Sequence, residues 1–171
     1  MQHKKRRMVY EKEIRTNVWH THSKGHHAAL NVGASPVEMK EIVDQSVPYV
    51  VMSARDFIRV TNEVFKERGI ELPIEPQSTT SPEIRFEKGL SAQKTILGDG
   101  IDKMYEASPK DLLHTLKFFS ANCFGSDYTQ KSFDLKMREL ITLSIVIAMG
   151  ADLQVKAYIH GSLNIGATRS E

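Results

Sequence analysis

Cysteine is nearly absent. Cys123 is the only one in 171 residues, so no internal disulfide can form and four-cysteine zinc is impossible. A reducing, cytoplasmic setting is the expectation. Long apolar runs are missing too: none approaches the ~18 residues of a membrane span, so no membrane partner is expected. The opening residues, MQHKKRRMVYEKEIR, are basic but have no apolar segment behind them, which is unlike a secretory leader. Nor is there an excess of one charge, since 23 Lys and Arg stand against 21 Asp and Glu for a formal net charge of +2. Much of that excess sits in Lys4, Lys5, Arg6 and Arg7. A nucleic-acid face needs basic residues spread over several elements, and a four-residue basic end reads as a solvated tail; no nucleic-acid partner is expected.

What is present is ordinary globular material. Apolar residues make up 40% and charged ones 26%, enough for one core at this length. The chain divides into a basic tail (1–18), a helical block (19–69), a Pro/Ser-rich linker (70–85) and a second helical block (86–171). Pro73, Pro76 and Pro82 bar any helix from crossing the linker. In the first block a short helix ends near Asn31 with Gly33 as its stop. Ser35, Pro36 and Glu38 then form a capping box for a helix carrying Met39, Ile42, Val43 and Val47, with a kink or break at Pro48. Phe57 to Phe65 continue the pattern to Gly69. In the second block helices are expected over Lys88–Tyr105, weakened at Gly98 and Gly100, from Ser108 through Phe119, and over Asp134–Met149. Another follows Asp152 as its cap. The β-branched residues between 141 and 147 admit a buried strand, but length and flanking caps favour helix. The fold class is all-α.

One segment occurs twice. His27-Ala-Ala-Leu-Asn-Val-Gly-Ala-Ser35 matches His160-Gly-Ser-Leu-Asn-Ile-Gly-Ala-Thr168 at a constant offset of 133, with five of nine residues identical. The first copy leads into a long helix. The second has the capping-box spacing, Thr168 to Glu171, and no helix after it. The blocks therefore read as complementary halves of one unit in reversed order. Either the chain is circularly permuted, with residues 36–69 packing behind residue 166 in the same or a neighbouring subunit, or it is a piece or shortened descendant of a two-repeat protein.

Phe124-Gly125-Ser126-Asp127, Asp134, Leu135-Lys-Met-Arg138-Glu139-Leu-Ile-Thr142-Leu143 and the motif His160–Thr168 together resemble the carboxymuconolactone decarboxylase family. Its pattern runs F-G, L-D-x-K-x-R-E-L-x-T, an apolar helix ending in glycine, then H-I-x-G-A-L-N-x-G-A-T. Residues 124–171 resemble the front of that domain and 27–69 its rear, so the resemblance implies an alkylhydroperoxidase D-like helical fold with its halves in permuted order. It also implies self-association as a dimer, trimer or hexamer, with active sites near subunit contacts. The namesakes decarboxylate 4-carboxymuconolactone to the enol-lactone, and relatives with C-x-x-C are thiol-based hydroperoxide reductases. Here Leu153-Gln-Val-Lys156 stands where those thiols would lie, which excludes an internal dithiol. A hydroperoxidase-type relative without its thiols remains an alternative.

Loss of CO2 from a β-keto-like or vinylogous acid needs an electron sink, enolate stabilisation and a proton donor to carbon. His160 is the candidate for proton transfer, because imidazole titrates near neutrality. Glu139 on the preceding helix can orient it or raise its pKa, and Arg138 can clamp a substrate carboxylate. His27, the repeat counterpart of His160, is a second candidate for substrate binding. Each also has a structural reading: His160 as an interface histidine, Arg138 and Glu139 as a capping and salt-bridge pair. His20, His22, His26 and His27 invite a metal reading, but Gly25 interrupts them, no cysteine is near and the only carboxylates upstream are Glu11 and Glu13; surface histidines are the better reading. No metal or cofactor is expected. The functional expectation is cofactor-independent decarboxylation or lactone chemistry on a small carboxylated substrate, the alternative a non-catalytic helical oligomer or small-ligand-binding protein.

Overall fold

The apolar periodicity is realised as helices. The computed structural model describes residues 22–50 and 52–170, and all regular secondary structure among them is helical. The elements are α1 (22–31), α2 (Pro36–Val50), α3 (Met52–Glu67), α4 (Arg85–Leu97), α5 (Gly100–Ala107), α6 (Leu113–Phe118), a π-helix (Phe119–Asp127), α7 (Leu135–Ala148) and α8 (Asp152–Asn164). Among the described residues no helix is long and apolar enough to cross a membrane. Lys4 to Arg7, Glu11, Glu13, His20 and Glu171 lie outside the described residues.

Local chemistry sets the boundaries. The Ser35 N–H donates to Glu38 Oε2 at 2.7 Å and the Glu38 N–H to Ser35 Oγ at 3.2 Å, a reciprocal capping box opening α2. Pro48 stays inside α2, which ends two residues later. Asp134 accepts from the Met137 N–H at 2.8 Å to start α7, and no strand forms at 141–147. Other boundaries depart from expectation. The helix expected over Lys88–Tyr105 is divided at Gly98, whose φ of 63° ends α4. Ser108 closes α5 instead of opening a helix, its hydroxyl bonding the Met104 carbonyl at 2.6 Å. Asp152 lies in the first turn of α8 and gives no side-chain cap. Between the helices expected to end at Phe119 and to start at Asp134 the chain continues as the π-helix, which includes Gly125.

Both copies of the repeat fold alike. Gly33 and Gly166 have φ values of 99° and 90°. In the first copy the Gly33 N–H bonds the Leu30 carbonyl at 3.2 Å and the Ala34 N–H the Ala29 carbonyl at 3.0 Å. In the second, Gly166 bonds Leu163 at 3.2 Å and Ala167 bonds Ser162 at 2.9 Å. This is the Schellman helix end, in which a glycine in the left-handed region lets two amides turn back to the last carbonyls. The surroundings differ: Asn31 accepts from Arg68, whereas Asn164 donates to the Ile96 carbonyl.

Packing brings the two blocks together in one chain. α2 lies against α3, α7 and the π-helix, and α7 and α8 form a hairpin turned at Gly150. Met39, Val43, Val60, Val64 and Phe65 are buried on α2 and α3, and Ile96, Cys123, Phe124 and Tyr128 form a second cluster flanked by Leu135 and Ile165. α4 meets the π-helix backbone to backbone. A Cβ built on Gly89 would stand 1.7 Å from the Ser120 carbonyl oxygen, and one on Gly125 1.9 Å from that of Arg85.

Candidate functional site

Tyr128, at the end of the π-helix, faces Glu139 and Thr142 on α7. Its hydroxyl is 2.9 Å from Glu139 Oε1 and 2.7 Å from Thr142 Oγ1. A phenol has one proton to give, so it can donate to only one of these two oxygens at a time. Thr142 in turn accepts from Gln45 Nε2 at 2.8 Å. Gln45, Thr142, Tyr128 and Glu139 are thus linked in one network of side chains that are all buried. Beside them Tyr49 on α2 and Tyr158 on α8 share a 2.8 Å hydrogen bond.

Glu139 is 1% exposed, and burial pushes its pKa up to about 7 against the opposing hydrogen bond from Tyr128. It lies under Gly161, where a Cβ would stand 2.5 Å from Glu139 Oε2. The residue before that glycine is His160, whose ring is exposed and makes no hydrogen bond with Glu139. The hairpin therefore brings the Glu139 carboxyl to the α8 backbone next to His160. Ser162, one residue beyond Gly161, has a buried hydroxyl without a partner.

Arg138 points the other way and is fully buried. Its Nη2 pairs with Glu41, and its Nη1 donates to Gln45 Oε1 at 3.1 Å. The guanidinium also lies 5.1 Å from the Phe133 ring centre, and its Nε has no partner. Glu41 accepts a further bond from the Ser132 N–H at 3.1 Å. Glu41 and Gln45 thus occupy the fork that a substrate carboxylate would need. His27 is engaged as well, with Glu67 Oε2 2.9 Å from its Nε2 and Arg68 Nε donating to its Nδ1 at 2.9 Å. His27 and the Glu139 cluster belong to different parts of the molecule's hydrogen bonding.

Cys123 is 2% exposed, and burial, reinforced by Asp127, raises its thiol to about 12. At neutral pH it is a thiol, not a nucleophilic thiolate. Of the α1 histidines, His26 and His27 are hydrogen-bonded, whereas His22 Nδ1 is buried without a partner. His26 holds the His22 carbonyl at 2.7 Å and Thr61 Oγ1 at 3.1 Å, while His22 packs edge-on against Phe57. Among the described residues no three His, Cys, Asp or Glu side chains are grouped to hold a metal ion.

Sequence reasoning did not single out Tyr128, Tyr49, Tyr158, Gln45 or Glu41. Thr142 was visible within the R-E-L-x-T pattern, but nothing in it pointed to a tyrosine ten or more residues upstream. The raised carboxyl also links stability to pH. Folding keeps Glu139 protonated where the unfolded chain, with the usual glutamate value of 4.5, would ionise it. Its contribution is therefore complete below about pH 4.5 and is lost as pH rises through about 7. Glu139→Gln is expected to flatten the stability profile between pH 5 and 7 by up to about 1.4 kcal/mol per pH unit, measured by urea melts; an unchanged slope would contradict the assignment. No protein-family model, curated protein or solved structure matches the chain.

Proposed function

We propose that the chain is a cofactor-independent acid–base enzyme of the carboxymuconolactone decarboxylase type, acting on a small carboxylated lactone or related acid. The observation that carries this reading is Glu139: a carboxyl with its pKa near 7, held by Tyr128 against the glycine next to His160. A group poised near the working pH can give and regain a proton in each turnover. Glu139 delivers the proton to the carbon that loses CO2 and Tyr128 fixes the carboxyl's orientation, with His160 on the exposed face of α8 beside them. Arg138 acts through the fold, holding α2 to α7 through Glu41.

The test is loss of 4-carboxymuconolactone followed by ultraviolet absorbance. Wild-type protein is expected to turn it over with a rate that falls as pH rises through about 7, because the donor is the protonated carboxyl. Glu139→Gln should lower kcat by roughly 10²–10⁴-fold. Folded wild-type protein without turnover, or a Gln variant with full activity, would overturn the proposal.

A second reading, the non-catalytic helical oligomer or small-ligand-binding protein, draws on Arg138. Its guanidinium is consumed by internal partners, as expected of a structural pair. Ile147, Met149, Leu153, Ile159 and Leu163 on and between α7 and α8 are exposed, giving self-association an apolar face.

A further inference from the structure

Away from Glu139, the segment 72–77 borders, with α2 and α3, a half-open cavity of about 500 Å³. Its two walls differ in character. The helices bring Lys40, Asp44, Asn62 and Lys66 to it, and the strap brings Leu72, Pro73, Ile74 and Pro76. Lys40 Nζ donates to Asn62 Oδ1 and lies 5.9 Å from the Phe65 ring centre, which fixes its ammonium at the junction of α2 and α3. Asn62 and Lys66 are four residues apart on α3 and so share the face next to it. Lys66 has no ion-pair partner among the described residues. The prolines opposite carry no N–H, so that wall offers contact area and few donors.

We propose that this cavity is a binding site for a small organic carboxylate with an apolar body, its carboxylate held by Lys40 and Lys66 and its body lying along Leu72, Pro73 and Ile74. A monoanion fits better than a phosphate. Glu41, Asp44 and Glu75 also border the cavity, and a dianion beside them would meet twice the repulsion. Glu41 itself is not a competitor for the lysines, because Arg138 and the Ser132 N–H hold its carboxylate. Asp44 stands on the same wall beside Lys40, and burial raises its pKa against the pull of that lysine. Burial likewise lowers the pKa of Lys40, so an arriving carboxylate compensates a charge that the site partly desolvates. The inference rests on α2, α3 and the strap alone and stands whether or not Glu139 is catalytic.

Benzoate is the probe, with benzyl alcohol supplying the same ring without charge and inorganic phosphate supplying charge without the ring. Titrations of the full chain would be followed by amide chemical shifts and calorimetry. Saturable benzoate binding is expected, with the largest shifts at residues 40, 62, 66 and 74, and both controls weaker by about tenfold or more. Lys66→Ala, an exposed substitution that leaves the core intact, should weaken benzoate about tenfold. Lys40→Met should abolish the shifts while the rest of the spectrum stays native. Phosphate binding as tightly as benzoate, shifts scattered over other helices, no saturation, or affinity unchanged in Lys66→Ala would each overturn the proposal.

Discussion

Glu41→Ala is expected to destabilise the fold by about 3–5 kcal/mol, measured as a shift in urea midpoint at unchanged m-value. The substitution leaves Arg138 at 0% exposure with its ion-pair partner gone and its Nε already unpartnered. The lost attraction is the smaller part of the cost. Most of it comes from a guanidinium shut away from water with too few acceptors, and the surrounding helices give water no ready path to it. The Ser132 N–H loses its acceptor as well. The comparison that isolates the cause is Glu41→Leu combined with Arg138→Met, which removes both charges and keeps much of the volume. That double variant should recover most of the loss. A single variant within about 1 kcal/mol of wild type would mean that Arg138 finds solvent or another acceptor, contrary to its burial.

Gly89→Ala is expected to be the most damaging single methyl group in the chain. Its Cβ would stand 1.7 Å from the Ser120 carbonyl oxygen and 2.8 Å from the Gly125 amide nitrogen, both backbone atoms of the π-helix. A flexible side chain could swing aside, but here α4 and the π-helix must separate. Overpacking of this kind costs at least about 3 kcal/mol, or a fall in Tm of roughly 6–12 °C at this chain length. Gly25→Ala is the contrast. Gly25 lies inside α1, and its added Cβ meets nothing within 4 Å, so the change should stabilise by up to about 1 kcal/mol through helix propensity. Thermal melts of the two variants side by side decide the matter. Equal small effects would show that α4 and the π-helix are not in backbone contact.

The helices were legible because their signals are local. Ser35 with Glu38, Asp134 before an apolar run, and Gly33, Gly69, Gly150 and Gly166 after one each act within a single turn. The π-helix was not legible. Phe119 to Asp127 carries apolar residues at no clear period, and its i→i+5 bonding is held by tertiary partners: Gln93 and Tyr105 on Ser120, and α4 against Gly125. Glu139 was found from the R-E-L pattern, whereas its environment was not, since Tyr128 reaches it from the end of an element the sequence did not announce. Arg138 shows the same limit. Its residue type and spacing suit a carboxylate clamp, and the carboxylate it clamps is Glu41, 97 residues away along the chain.

That separation has a consequence for how the molecule assembles. The hydrogen bonds joining α2 to Arg138 and Thr142 on α7 span 93 or 97 positions, whereas those from Tyr128 to α7 span 11 and 14. The π-helix and α7 can find each other across a short loop. α2 must close a loop several times longer, at an entropic cost that grows with the logarithm of its length. Loop length alone thus favours joining Tyr128 to Glu139 before α2 docks, and α2 is the element that covers Arg138. An arginine covered in that order keeps its water until Glu41 is there to replace it, which is an expectation for folding kinetics.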